Sequence, residues 1–159
     1  VHLTPLDLRT APDRLVEPGT AVAVCENPRV LESAAEERVE HPVVCLSGRP
    51  TTVALTLLDR LAADGATLHH HGDFDWAGVG ITRSLWEHHG VRPWRMSAGD
   101  YREALDRAAA ARTDLPNLVG TPGETPWDPA LAELMSTAAR AVEEEHVLPT
   151  LLADLRAGL

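Results

Sequence analysis

The 159-residue sequence predicts an α/β domain: a Rossmann-like, parallel, four-stranded sheet flanked by helices, with extra helices at the carboxyl end. Two observations carry this. Short apolar runs alternate with amphipathic helical patterns in the order β-α-β-α-β-α-β. The loops between them are short, which favours right-handed crossovers and a sheet covered by helices.

Residues 2–9, HLTPLDLR, read as a short strand, with Pro5 restricting it to an edge or a loop. Residues 11–20 carry two prolines and a glycine and read as a connector. Residues 21–25, AVAVC, are apolar on both faces, as suits a buried parallel strand. Asn27-Pro28 signals a helix start, and residues 29–40 place Val30, Leu31, Ala34, Ala35 and Val39 on one face. Residues 42–46, PVVCL, read as the second strand and 51–64 as its helix, with Gly65 closing it. Residues 66–71 read as the third strand, 76–89 as the third helix ended by Gly90, and 92–96 as the fourth strand. Residues 100–112 read as an Ala-rich helix. Residues 113–129, with four prolines and two glycines, read as an irregular segment folding over the end of the sheet. Helical patterns follow over 129–140 and 142–156, and Pro149 is expected to kink or start the last one. Residues 1–20 therefore read as an arm or connector, 21–97 as the core of a domain spanning 21–159, and 98–159 as its helical extension.

Composition narrows the function. Hydrophobic content of 44% and charged content of 24% are ordinary for a globular domain, and no apolar run is long enough to span a membrane. All 14 basic residues are Arg, and the net charge is -10, which opposes strong DNA binding by this chain alone. Cys25 and Cys45 show no zinc spacing and read as free thiols of a cytoplasmic protein. The chain starts without Met, and a preceding amino-terminal region is expected.

The chemistry concentrates in HHHGDFDWAGVGI, residues 69–81. Asp73 and Asp75 follow a strand and precede a Gly-rich helix start. The carboxyl ends of strands are where open α/β sheets place their sites. In extended chain the two carboxylates point the same way, and Phe74 points into the fold. Their repulsion is relieved by a hard divalent cation such as Mg²⁺ or Mn²⁺. The same pair is equally compatible with a solvated loop capping the helix. The first strand also ends in an acid, Glu26, so Glu26, Asp73 and Asp75 are expected to project from one edge of a parallel sheet and share Mg²⁺. The second strand ends in Ser47-Gly48-Arg49. There Gly48 permits close approach of a backbone and Arg49 can pair with a DNA phosphate.

VAVCENP, VVCLSGRPT and HHHGDFDWAGVGI, in this order, resemble the Toprim domain, whose pattern is a Glu after the first strand and a DxD after the third. More specifically, they resemble the carboxy-terminal Toprim-like domain of the JetD subunits of Wadjet-type anti-plasmid systems, relatives of type IIB topoisomerase A subunits. The resemblance is good over about residues 20–97. It implies a Mg²⁺- or Mn²⁺-dependent DNA endonuclease with Glu26, Asp73 and Asp75 as catalytic and metal-binding residues. It further implies an SMC-like ATPase complex as partner and DNA contacts from an amino-terminal region. It also implies that one acid of Glu143-Glu144-Glu145 approaches the metal, and Glu145 is the candidate. A homodimer is an expected assembly.

His71 is a candidate for proton transfer at the metal edge. A zinc site made by His69, His70 and His71 is disfavoured, because successive strand residues do not converge on one ion. Tyr101 is the only tyrosine, and water is the expected nucleophile. Two other functions compete: a non-catalytic Toprim-like scaffold binding DNA or partners, and a phosphotransferase that uses a DxD. The latter expects its DxD on the first strand followed by a small residue and Thr, whereas Trp76-Ala77 follow here.

Overall fold

The computed structural model describes residues 3–159. The four strands are β1 (Ala21–Cys25), β2 (Val43–Cys45), β3 (Thr67–His70) and β4 (Arg92–Pro93). They form one all-parallel sheet in the order β2-β1-β3-β4, in agreement with the predicted Rossmann-like class. The chain moves from β1 outward to β2, then returns past β1 to β3. The order therefore reverses between β1 and β3, where a crevice opens at the carboxyl ends.

Helices cover both faces: α1 (Pro5–Thr10), α2 (Pro28–Glu36), α3 (Thr52–Ala63), α4 (Trp76–His89), α5 (Ala98–Ala111), α6 (Pro129–Ala138) and α7 (Glu144–Ala157). Side chains alternate along the strands, and that alternation builds two cores. Val22, Val24 and Leu68 pack with Leu58, Leu61 and Leu85 from α3 and α4. Ala23 and Cys25 face the opposite core with Val30 of α2, Tyr101 of α5, Leu151 of α7 and Phe74 of the loop after β3. Each fully buried Leu, Val or Phe contributes about 1.5–3 kcal/mol.

Four expectations are corrected. Residues 5–10 are helical rather than a strand: Thr4 and Asp7 form a reciprocal capping box, and Pro5 sits in the first turn, where its missing N–H costs nothing. His2 lies outside the described residues. α2 stops at Glu36, because Arg38 adopts a left-handed φ of 54°. The fourth strand ends at Pro93, although the Trp94 N–H still bonds the His70 carbonyl at 2.7 Å. α7 runs through Pro149, leaving only the exposed turn at Glu145 without its helical donor.

The irregular segment after α5 packs against the start of α4. Gly120 and Gly123 lie against Trp76, and Asn117 bridges to Arg140. A second antiparallel bridge joins Phe74 to Val142, with Phe74 N–H donating at 2.8 Å to the Val142 carbonyl. Phe74 is buried, so this bridge is anchored in the core. It brings the start of α7 to the loop after β3. No helix among the described residues is long and apolar enough to cross a membrane.

Candidate functional site

β1 and β3 are hydrogen-bonded neighbours, and Glu26 and Asp73 follow their carboxyl ends. Glu26 is only 8% exposed, and its Oε1 has no hydrogen-bond partner. Burial first, then the charges of Asp73 and Asp75, push its carboxyl up to about 8. Gly72 makes this placement possible: a Cβ on it would fall 2.2 Å from Glu26 Oε1. Only glycine lets the carboxylate lie against the chain leaving β3.

Asp73 accepts the Glu144 N–H on Oδ1 at 2.7 Å. Its carboxyl is also raised, chiefly by burial. Asp75 is the N-cap of α4, its Oδ1 accepting the Gly78 N–H at 2.7 Å. The capping role weighed for this pair thus belongs to Asp75 alone. Gly78 packs directly on the loop, since a Cβ there would lie 2.3 Å from the Asp73 carbonyl oxygen. Each aspartate keeps one oxygen free of protein hydrogen bonds among the described residues.

Of the α7 acids, Glu144 is the one buried at this edge, while the expected Glu145 stays exposed. Glu144 is fully buried, and its Oε2 accepts the backbone N–H groups of Glu26 and Asn27. Its Oε1 has no partner. Burial drives its carboxyl up to about 9; the Asn27 N–H opposes this, and Asp73 adds to it. Glu145 is exposed and accepts only from the Asn27 side chain, at 3.2 Å. A signal for Glu144 was present: Glu144, Val147, Leu151 and Leu155 recur at helical spacing, and all four are buried.

The histidines divide across the sheet. His71 packs between Phe74 and Trp94, with Nδ1 on the Trp94 carbonyl at 2.9 Å. Burial lowers it to about 4, and its charged neighbours are Asp100 and Arg95. This argues against His71 as the proton carrier. His70 instead flanks Gly72, whose added Cβ would sit 3.0 Å from His70 Cε1. It is buried and held through Nδ1 to the Thr82 hydroxyl at 3.1 Å.

The loop after β2 reaches the same edge. Gly48, at φ +90°, donates its N–H to the Glu26 carbonyl at 3.2 Å, and Arg49 beside it is exposed. The Cys45 thiol also approaches the Glu26 carbonyl, at 3.5 Å. A cavity of about 510 Å³ lined by Glu37, His41, Leu155 and Arg156 shares none of these residues. Lacking convergent acids, it is a poorer site than the acidic edge.

Residues 1–155 match the family described as "Protein of unknown function C-terminus (DUF2399)". The chain belongs to this family. No curated protein matches the chain. In this DUF2399 domain the acidic edge is the feature that bears most on function.

Four carboxylates there surround two orphaned, buried carboxylate oxygens, on Glu26 and Glu144. Such a cluster needs protons or a cation, and an all-oxygen donor set suits Mg²⁺ or Mn²⁺. Among the described residues, however, no three acidic, histidine or cysteine side chains already stand where one ion would be held. An ion held here would require Asp75 to leave its bond to the Gly78 N–H.

Proposed function

We propose that this domain is the divalent-metal-dependent endonuclease part of an anti-plasmid defence protein, hydrolysing DNA phosphodiesters. The observation that carries the reading is the meeting of Glu26, Asp73, Asp75 and Glu144 at the point where the strand order reverses. The resemblance of the motifs to Toprim and JetD domains, described above, points the same way.

Glu26, Asp73 and Asp75 would hold the cation, with Glu144 behind them. A bound Mg²⁺ or Mn²⁺ would neutralise charge on a phosphoryl oxygen and make water more acidic. Glu144 fixes the backbone of Glu26 and Asn27, so its part is to hold the first carboxylate in place. Gly72 and Gly78 keep the loop close enough for the acids to converge. Arg49, at the mouth of the Gly48 turn, would pair with a phosphate of the DNA strand. Water is the nucleophile, since the Tyr101 hydroxyl is spent on the Arg140 carbonyl at 2.6 Å. DNA delivery by an SMC-like ATPase complex belongs to the same proposal.

A second reading is a non-catalytic scaffold. It is favoured by the use of Asp75 as a helix cap and Asp73 as an acceptor for the start of α7. Nicking of supercoiled plasmid by the full-length protein with its ATPase partners separates the two. The nuclease reading predicts relaxed plasmid with Mg²⁺ or Mn²⁺, none with chelator, and none for Asp73→Ala. Full cleavage by Asp73→Ala, or none under any condition by the wild type, favours the scaffold.

A further inference from the structure

We propose that Cys25 and Cys45 form a reversible disulfide that couples oxidation of the protein to the geometry of the acidic edge. The two cysteines are register partners on β1 and β2. Both side chains belong to the core on the α2 and α7 side of the sheet. Neighbouring strands lie about 4.8 Å apart, inside the roughly 4.4–6.8 Å span that a disulfide bridges between α-carbons. Cys45 also contacts the Ser47 hydroxyl at 3.7 Å, while Cys25 reaches the Asn27 carbonyl at 3.7 Å. The Cys45 thiol also reaches the Glu26 carbonyl across the strand pair, at 3.5 Å.

Access differs between the two. Cys25 is fully buried. Cys45 is half-buried and lines a groove of about 350 Å³ with Leu31, Ser47, Thr51 and Leu57. A peroxide therefore meets Cys45 first. The Cys45 sulfur attacks one peroxide oxygen, the O–O bond breaks, and the products are a sulfenic acid and water. The Cys25 sulfur then attacks the Cys45 sulfur and expels the hydroxyl as a second water. One peroxide is reduced, two thiols are oxidised, and both thiol protons leave in water. A dithiol reverses the step by thiol–disulfide exchange. Transient, regulatory bonds are the usual kind where cytosolic disulfides occur.

The consequence falls on Glu26. Cys25 immediately precedes it, and the Cys45 thiol and Gly48 N–H both bond its carbonyl. Joining the sulfurs removes the Cys45 donor and, because disulfides most often hold α-carbons about 5.5–6 Å apart, presses the ends of β1 and β2 apart. The peptide carrying Glu26 and the loop carrying Arg49 then shift. The effect on activity rests on the nuclease reading; formation of the bond does not.

The test treats the intact protein with hydrogen peroxide, then maps peptides without reduction and follows ¹⁵N amide resonances. The expected result is a Cys25–Cys45 linked peptide, loss of two hydrogens, and displaced resonances for Glu26, Asn27 and Gly48. Dithiothreitol should reverse all three. Cys45→Ser and Cys45→Ala should show none of them. Mn²⁺ affinity should fall about tenfold on oxidation, the scale of a disturbed supporting shell. Over-oxidised Cys45 with Cys25 untouched, or an intermolecular disulfide instead, would overturn the proposal. So would a linked pair that leaves the Glu26 and Asn27 resonances in place. Absent Mn²⁺ binding in both states, with the linked peptide and shifted resonances present, would count against the nuclease reading alone.

Discussion

Replacing Glu144 by Gln probes the electrostatics of the acidic edge. In the folded protein the Glu144 carboxyl is held near about 9 and that of Glu26 near about 8, both from an ordinary 4.5. Burial is the first cause in each. Carboxyls raised in this way bind a proton more tightly in the folded state. Their contribution to stability is full below about pH 4.5 and is lost as pH rises through the folded values. In that window each such group costs about 1 kcal/mol per pH unit. The metal-free protein should therefore lose several kcal/mol between about pH 5 and pH 8, a large share of the roughly 5–15 kcal/mol typical of a domain. Glu144→Gln keeps an oxygen for the Glu26 and Asn27 N–H groups but removes the charge. Urea denaturation in chelator, followed by tryptophan fluorescence across this pH range, reads the difference. The variant should have the flatter profile and exceed wild type by about 2–4 kcal/mol near pH 8. Parallel profiles, or a variant less stable than wild type at pH 8, would refute the reasoning.

Other outcomes follow from the same geometry. Mg²⁺ should raise the thermal midpoint more at about pH 8 than at pH 5, because protons and cation compete for the same oxygens; equal shifts in calorimetry would count against this. Gly72→Ala should displace Glu26, cost about 1–3 kcal/mol in denaturant and abolish metal-dependent nicking, since the new Cβ would meet Glu26 Oε1 at 2.2 Å. Tyr101→Phe should cost about 1 kcal/mol through its lost bond to the Arg140 carbonyl, with nicking intact; a Tyr101-linked DNA adduct would overturn the water mechanism. The chain of residues 1–159 should bind duplex DNA weakly at physiological salt, because 24 acids face 14 arginines. Fluorescence anisotropy showing tight binding would mean that a local arginine surface outweighs the net charge.

The sheet was legible because its strands are apolar runs, with β1 buried along most of its length, punctuated by Gly, Pro and Asn at nearly every end. Trp76–His89 matches its predicted bounds, with Asp75 capping the start and Gly90 in the left-handed region at the end. Where one residue carries two meanings, the sequence misled. Pro5 suits an edge strand as well as a first helical turn, and only the Thr4–Asp7 pairing decides it. The acids of β1 and β3 were legible because parallel strands share a direction. Glu144 was harder: a run of three glutamates reads as a solvated face, and its burial depends on the Phe74–Val142 bridge, a contact distant in sequence. The surroundings of His71 were hidden for a similar reason. Strand alternation separates it from His70, but which of the two flanks Gly72 depends on how the chain turns there.

The most direct test of a cation site at this edge is anomalous diffraction from a crystal of the protein equilibrated with Mn²⁺. The account predicts a peak between the carboxylates of Glu26 and Asp73, with Asp75 rotated off its Gly78 cap to join them. A crystal without a peak at this edge, with Glu26 and Asp73 ordered and accessible, would contradict it.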